Sequence, residues 1–195
     1  MKTSAMITVA GMLASGAWAA TKSDSYRVVA CIEDGDLAGV EDAAARASSL
    51  LWSAGVNLDW HANRSFCQRQ RDQAIVVTFL TSTPKTFHPN ALAYAYPYEG
   101  VHIQVFYDRI GLADPELRPA LLAHVIVHEI SHILQGIDRH SGSGIMKARW
   151  NSYDYTLMKR GQLRFTEFDI EMIHDGLASR AARRAAGTMI AVVAP

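Results

Sequence analysis

The sequence has no surplus charge. Nineteen lysine and arginine residues face nineteen aspartate and glutamate residues, so the formal net charge is zero. That excludes a protein that grips nucleic acid or an acidic membrane by bulk charge. Cysteine is scarce: Cys31 and Cys67 are the 2 cysteines in 195 residues. Neither belongs to a Cys-x-x-Cys pair, which argues against redox catalysis and against a thiolate zinc site. Internal repeats and low-complexity linkers are missing, and the length suits a single domain. Charged residues make up 19% against 49% apolar ones, which excludes wholesale disorder and fits a packed core. Beyond the start of the chain no segment is long and apolar enough to span a bilayer.

The start itself is different. Met1-Lys2 is positive, residues 5–15 are uncharged and apolar, and Ala17-Trp18-Ala19 has the small-x-small pattern of a signal-peptidase site. The expectation is a secretory signal over residues 1–20, cleaved after Ala19 or Ala20. The alternative, an uncleaved anchor, needs roughly 20 apolar residues, more than this run supplies. Such a protein is secreted or periplasmic and keeps no membrane anchor after cleavage. In that compartment Cys31 and Cys67 can oxidise to a disulfide; the alternative is two buried thiols.

Periodicity outlines the rest. Residues 26–32, 56–60, 74–80 and 101–107 are β-rich or continuously apolar and are predicted as strands. Residues 36–54 are Ala- and Leu-rich and read as a helix ending at Gly55. Residues 91–96 alternate small and aromatic side chains up to Pro97. A long apolar-periodic segment follows Pro115 and Pro119 and stops at Gly136, the pattern of a helix. Residues 137–165 are Gly-punctuated and read as irregular. Thr166 and Asp169 approximate a capping box for a last helix reaching about Ala181. The fold class is α+β: a mixed twisted sheet packed by a backing helix and a second, chemistry-bearing helix, with a C-terminal helix.

The chemistry lies in His128-Glu129-Ile130-Ser131-His132. Two histidines at i and i+4 share one helix face and can take adjacent corners of a tetrahedral zinc. Glu129 sits about 100° round the helix, beside that face, where it can take a proton from a metal-bound water. Leu122, Ile126, Ile130 and Ile133 form an apolar stripe away from the histidines, suited to packing on the sheet. His124, one turn before His128, reads as a supporting or packing residue. His61, His88, His102 and His174 have no matching partner spacing. The basic groups after residue 139 are too dilute for a nucleic-acid site.

After His132 come Gly136, Asp138, His140 and the run Gly144-Ile145-Met146. The whole segment resembles the metzincin clan of zinc metallopeptidases, in particular matrixin-like and snapalysin-like catalytic domains, with an extended zinc motif followed by a Met-turn. Residues 92–97 and 101–108 resemble the edge strand and next strand of such domains. The resemblance implies a metzincin, zincin-like fold over residues 21–185, with 186–195 as a tail. It also implies one catalytic zinc held by His128, His132 and a third ligand, Glu129 as general base and acid, and Met146 beneath the metal. The clan spacing is HExxHxxGxxH, and this chain departs from it. Gly136 comes one residue late and His140 two residues late, while Asp138 holds the usual place of the third ligand, a place the snapalysin branch fills with Asp. His140 is the expected third ligand, since imidazole is the commoner zinc donor and His140-Ser141 leads into the Met-turn, with Asp138 as the alternative. The astacin-type tyrosine two residues after the Met is replaced by Ala148; Tyr153 and Tyr155 are possible substitutes.

The activity this implies is hydrolysis of peptide bonds, a zinc metalloendopeptidase, with a peptide or protein substrate paired along the edge strand at Ala93, Tyr94, Ala95 and Tyr96. The alternatives are a zinc hydrolase of a non-peptide amide, such as a cell-wall component, and a non-catalytic secreted binding protein with a structural metal. Oligomeric state leaves no trace in the sequence.

Overall fold

The computed structural model of the protein describes residues 25–33 and 36–193; the proposed signal lies outside them. Five strands form one sheet: β1 (Tyr26–Glu33), β2 (Val56–His61), β3 (Ile75–Leu80), β4 (Ala93–Ala95) and β5 (His102–Phe106). Their order is β2-β1-β3-β5-β4. The pairs β1–β2, β1–β3 and β3–β5 are parallel, and β4 runs antiparallel to β5 at one edge. Among the described residues six helices accompany them: α1 (Val40–Trp52), α2 (Arg64–Arg69), α3 (Tyr107–Ile110), α4 (Arg118–Gln135), α5 (Ser152–Lys159) and α6 (Glu167–Val193). None is long and apolar enough to cross a membrane, among the described residues.

Strand alternation sends successive side chains to opposite faces. Val28, Ala30, Ile75, Val77 and Phe79 face the main core, where they meet α1 and α4. Cys31, Ala74 and Val76 point the other way, into a small cluster with Cys67 and Phe66 of α2. A Cys31–Cys67 disulfide ties α2 to that face, with Cα atoms 5.8 Å apart. Asn63 caps α2 by accepting from the Phe66 N–H at 2.9 Å.

The centre of the molecule is α4. Its stripe residues Leu122, Ile126, Ile130 and Ile133 are all buried, but so are the other faces of the helix, because α1, α5, α6, β4 and β5 surround it. Each large aliphatic side chain buried this way contributes about 1.5–3 kcal/mol. Close packing on α6 requires Gly176: a Cβ there would stand 2.0 Å from the Leu134 carbonyl oxygen.

Several expectations need correction. The first helix starts at Val40 and not at residue 36, after Gly39 in a left-handed conformation. The edge strand is three residues long, shorter than 91–96, although the Tyr96 N–H still donates to the His102 carbonyl at 3.0 Å. Helices α2 and α3 lie outside the elements that the sequence predicts. The 137–165 stretch is not wholly irregular, since α5 lies within it, stopped at its start by a capping box between Asn151 and Asp154. The last helix passes Ala181 and its backbone runs on to Val193.

Candidate metal centre

Gly136 ends α4 one turn after His132 in a left-handed conformation, and the chain turns back over the helix. That return brings His140 to the two helix histidines. One ligand atom from each of His128, His132 and His140 lies within 4.8 Å of the others, the one such group among the described residues. Asp138 is exposed and does not join that group; it lies at the rim beside Glu129 and His132.

Backbone carbonyls aim the two helix imidazoles. His128 donates from Nδ1 to the Ile145 carbonyl at 2.8 Å, and His132 donates from Nδ1 to the Ile137 carbonyl at 3.2 Å. A carbonyl can only accept, so each Nδ1 carries the proton and each Nε2 presents a lone pair. The two Nε2 atoms face one another at 3.1 Å. Two lone pairs at that distance repel, and a cation between or beside them removes the conflict. Burial pushes the His128 imidazole down to about 3, with the neighbouring His132 adding to the effect, so that cation is not a proton at neutral pH. Burial and then His140 lower His132 as well. Three imidazoles in a half-open group are a donor set that fits a borderline-soft divalent metal.

The Ile145 carbonyl belongs to a tight turn that follows His140. The Lys147 N–H donates to the Gly144 carbonyl at 3.3 Å, and Ser141 N–H to the Met146 carbonyl at 2.7 Å. Gly144 has φ +74°, and a Cβ there would meet the Arg164 carbonyl oxygen at 2.5 Å, so the turn demands glycine. Met146 is fully buried behind it. From α6, Asp169 holds the segment on both sides of His140: it accepts from Arg139 and Ser141, at 2.5 Å each, and from the Thr166 hydroxyl at 2.6 Å. Asp169 itself is fully buried. Asp169 and Thr166 also cap α6 reciprocally, as their spacing predicts.

Glu129 is half-buried beside the histidines. Burial pushes its carboxyl up to about 8; the Ala95 backbone N–H works against this and the charge of Asp138 reinforces it. The strong proton affinity suits a group that must remove a proton from water, and a bound dication draws the carboxyl back toward its ionised form. Ala95 comes from β4, the sheet edge. In the β4–β5 ladder Tyr94 opposes Gln104, and Tyr96 and Leu92 hydrogen-bond to β5. The alternation of an antiparallel ladder therefore turns the backbone N–H and C=O of Ala93 and Ala95 to the free side, toward the cleft.

That cleft has two lobes that meet at the histidines. One, about 380 Å³, is lined by Asn90–Ala93, Arg149, Trp150 and Tyr155. The other, about 470 Å³, is lined by Tyr94–Glu99 and Asp138. Tyr155 reaches this site; Tyr153 is exposed and lines neither lobe. His124 is buried and donates to the Ala120 carbonyl at 2.7 Å, a packing role. His61, His88, His102 and His174 make separate contacts elsewhere, with Asp59, Asn90, Glu99 and the Ala54 carbonyl. The Ile137 and Ile145 carbonyls leave no mark in the sequence, because backbone groups have no residue signature. Asp169 did have one, its capping-box spacing, although that spacing pointed only to a helix start.

No protein-family model matches this sequence. No curated protein matches it either. Among solved structures, the chain is similar to the archaemetzincin of Methanopyrus kandleri, determined at 1.5 Å resolution. The two superimpose with a TM-score of 0.56 at 13% sequence identity, over 82% of this chain and 99% of that one. At that identity the likeness establishes the fold. The chain has an archaemetzincin-type, zincin-like fold, and within it α4 and the segment that follows it bring three histidines together.

Proposed function

We propose that the protein is an exported zinc-dependent metallopeptidase. One observation carries the reading: His128, His132 and His140 converge within 4.8 Å on the helix face beside Glu129, at the foot of a free sheet edge. In this reading the three histidines hold one zinc and leave an open corner. A zinc ion there supplies an electrophile that polarises a carbonyl and acidifies water. Glu129 takes the proton from the attacking water and hands it to the leaving amine nitrogen. Ala93, through its outward N–H and C=O, and Ala95, through its outward C=O, pair with an extended peptide and so place its amide beside Glu129. Met146 forms the floor of a Met-turn whose Ile145 carbonyl orients His128. Residues 1–20 direct export, and the mature chain acts on a peptide or protein outside the cytoplasm.

The test is zinc per chain in the mature protein, by elemental analysis, followed by a peptide-library screen with Glu129→Gln as the blank. About one zinc per chain is expected, and the variant should keep the metal while losing about 10²–10⁴-fold in kcat. A variant as active as the wild type overturns the mechanism. A protein that takes up no zinc overturns the assignment of the site.

A further inference from the structure

The two lobes of the cleft carry opposite charge. Asp138 and Glu99, both exposed, stand at the Tyr94–Glu99 lobe. Lys147 and Arg149 stand at the Asn90–Ala93 lobe. Their cations are not equivalent. Lys147 is engaged by Asp154 at 2.5 Å. Arg149 is exposed, and no hydrogen bond, ion pair or ring contact occupies it among the described residues. A free guanidinium on a cavity wall is a fork-shaped receptor for a carboxylate.

Strand direction decides which end of a peptide meets it. Chain sense along the edge runs from Asn90 toward Glu99, so the basic lobe lies at the start of β4 and the acidic lobe at its end. A peptide paired antiparallel to β4 sets its N-terminal half beside Asp138 and Glu99 and its C-terminal half beside Arg149. A parallel peptide reverses both matches and brings its carboxylate end to the acids. The charges of a peptide's own ends thus favour the antiparallel alignment.

We infer that Arg149 is a specificity-determining residue that selects peptides bearing a carboxylate on the C-terminal side of the cleaved bond, either an acidic side chain or the chain terminus. The inference rests on the peptidase reading above and concerns the substrate class of the same cleft.

Binding to the mature, zinc-loaded Glu129→Gln protein tests it without turnover. Four acetylated alanine-based hexapeptides serve as probes: aspartate at the fifth position, lysine at the fifth, and aspartate at the second, all amidated, and an all-alanine peptide with a free terminal carboxylate. Calorimetry should show the fifth-position aspartate binding about tenfold tighter than the fifth-position lysine, as expected for one charge-assisted contact. The second-position aspartate should show no such gain. The free-carboxylate peptide tells whether a chain terminus serves as well as a side chain. Adding Arg149→Gln should erase the preference, and Arg149→Glu should invert it. A preference that survives Arg149→Gln, equal affinities in the parent, or no binding of any peptide overturns the assignment. Turnover by the protein with Glu129 intact separates the two readings. Charge-selective binding without cleavage leaves Arg149 in its role and removes the peptidase reading. Cleavage with no charge preference in binding does the reverse.

Discussion

His128 donates from Nδ1 to the carbonyl oxygen of Ile145, 17 residues further along the chain, at 2.8 Å. The bond couples the helix that carries two of the histidines to the turn that follows the third. It settles which nitrogen of His128 is free, and it ties the orientation of that ring to the shape of a Gly144–Lys147 turn. Buried His128 thus has its ring N–H satisfied by a backbone group of a separate segment.

The turn is therefore expected to control metal affinity from outside the ligand set. In Gly144→Ala the new Cβ conflicts with the Arg164 carbonyl, 2.5 Å away, and the residue must keep φ near +74°. The turn shifts, and the Ile145 carbonyl shifts with it. Zinc affinity should fall about 10–100-fold, the usual cost of disturbing a ligand's hydrogen-bond partner. Competition with a chromophoric chelator measures it. Unchanged affinity would mean that His128 is oriented by the helix alone.

His140→Ala should weaken zinc more than Asp138→Ala. His140 places a ring nitrogen within the three-histidine group, while Asp138 is exposed at its rim. Loss of a direct ligand should exceed the roughly 100-fold cost of losing a supporting contact. Asp138→Ala should leave stoichiometric zinc and remove a negative charge that raises the Glu129 carboxyl. The reverse order of metal loss, in the same chelator titration, would transfer the third position to Asp138.

Asp169 should make the fold acid-sensitive. Burial by itself would raise its carboxyl, but the Ser141 and Thr166 hydroxyls, the Thr166 N–H and Arg139 together hold it below its ordinary 3.8. The folded state therefore binds this proton more weakly than the unfolded chain does. The stabilisation is fully present above the ordinary value and is lost as pH falls through the lowered one. Melting temperatures of metal-free protein, measured from about pH 6 to about pH 3, should drop steeply at the acid end in the wild type and less in Asp169→Asn. The variant should also be less stable at neutral pH, by about 1.5–3 kcal/mol for lost charge-assisted hydrogen bonds. Parallel acid profiles would remove Asp169 from this role.

Replacing both cysteines by alanine should lower stability without touching the metal centre. The Cys31–Cys67 bond spans a sequence separation of 36 residues, and restricting a loop of that size contributes up to about 4 kcal/mol. The bond lies on the face of the sheet opposite α4, so zinc content should not change. Denaturant midpoints and elemental analysis together decide the matter; zinc loss at a preserved midpoint would contradict this separation.

Much of the frame is readable in the residues themselves. The α4 segment announces itself by its apolar period, Pro119 near its start and Gly136 at its end, and the strands by their β-branched runs. The mixed sheet with packed helices follows from that alternation. What escaped was short or weakly apolar. Helices α2 and α3 have six and four residues, too few for a periodic signal. Helix α5 carries a capping box at Asn151 and Asp154, a usable sign, but only a weak apolar stripe behind it. Strand β4 is shorter and α6 longer than the sequence predicts, because pairing and packing, not local preference, set where they end.

The sequence by itself determined that one helix would carry two histidines and a glutamate in a fixed angular relation, because a helix converts spacing directly into direction. It also determined how Thr166 and Asp169 start the last helix. Only the tertiary structure decided that His140 reaches the pair while Asp138 stays at the rim. That choice depends on a loop held by Asp169, 29 positions beyond His140 in the chain, and a contact between residues so far apart leaves no local pattern. The same holds for the carbonyls of Ile137 and Ile145 and for the opposite charges of the two cleft lobes. They arise where separate elements meet, and they exist only once the chain has packed.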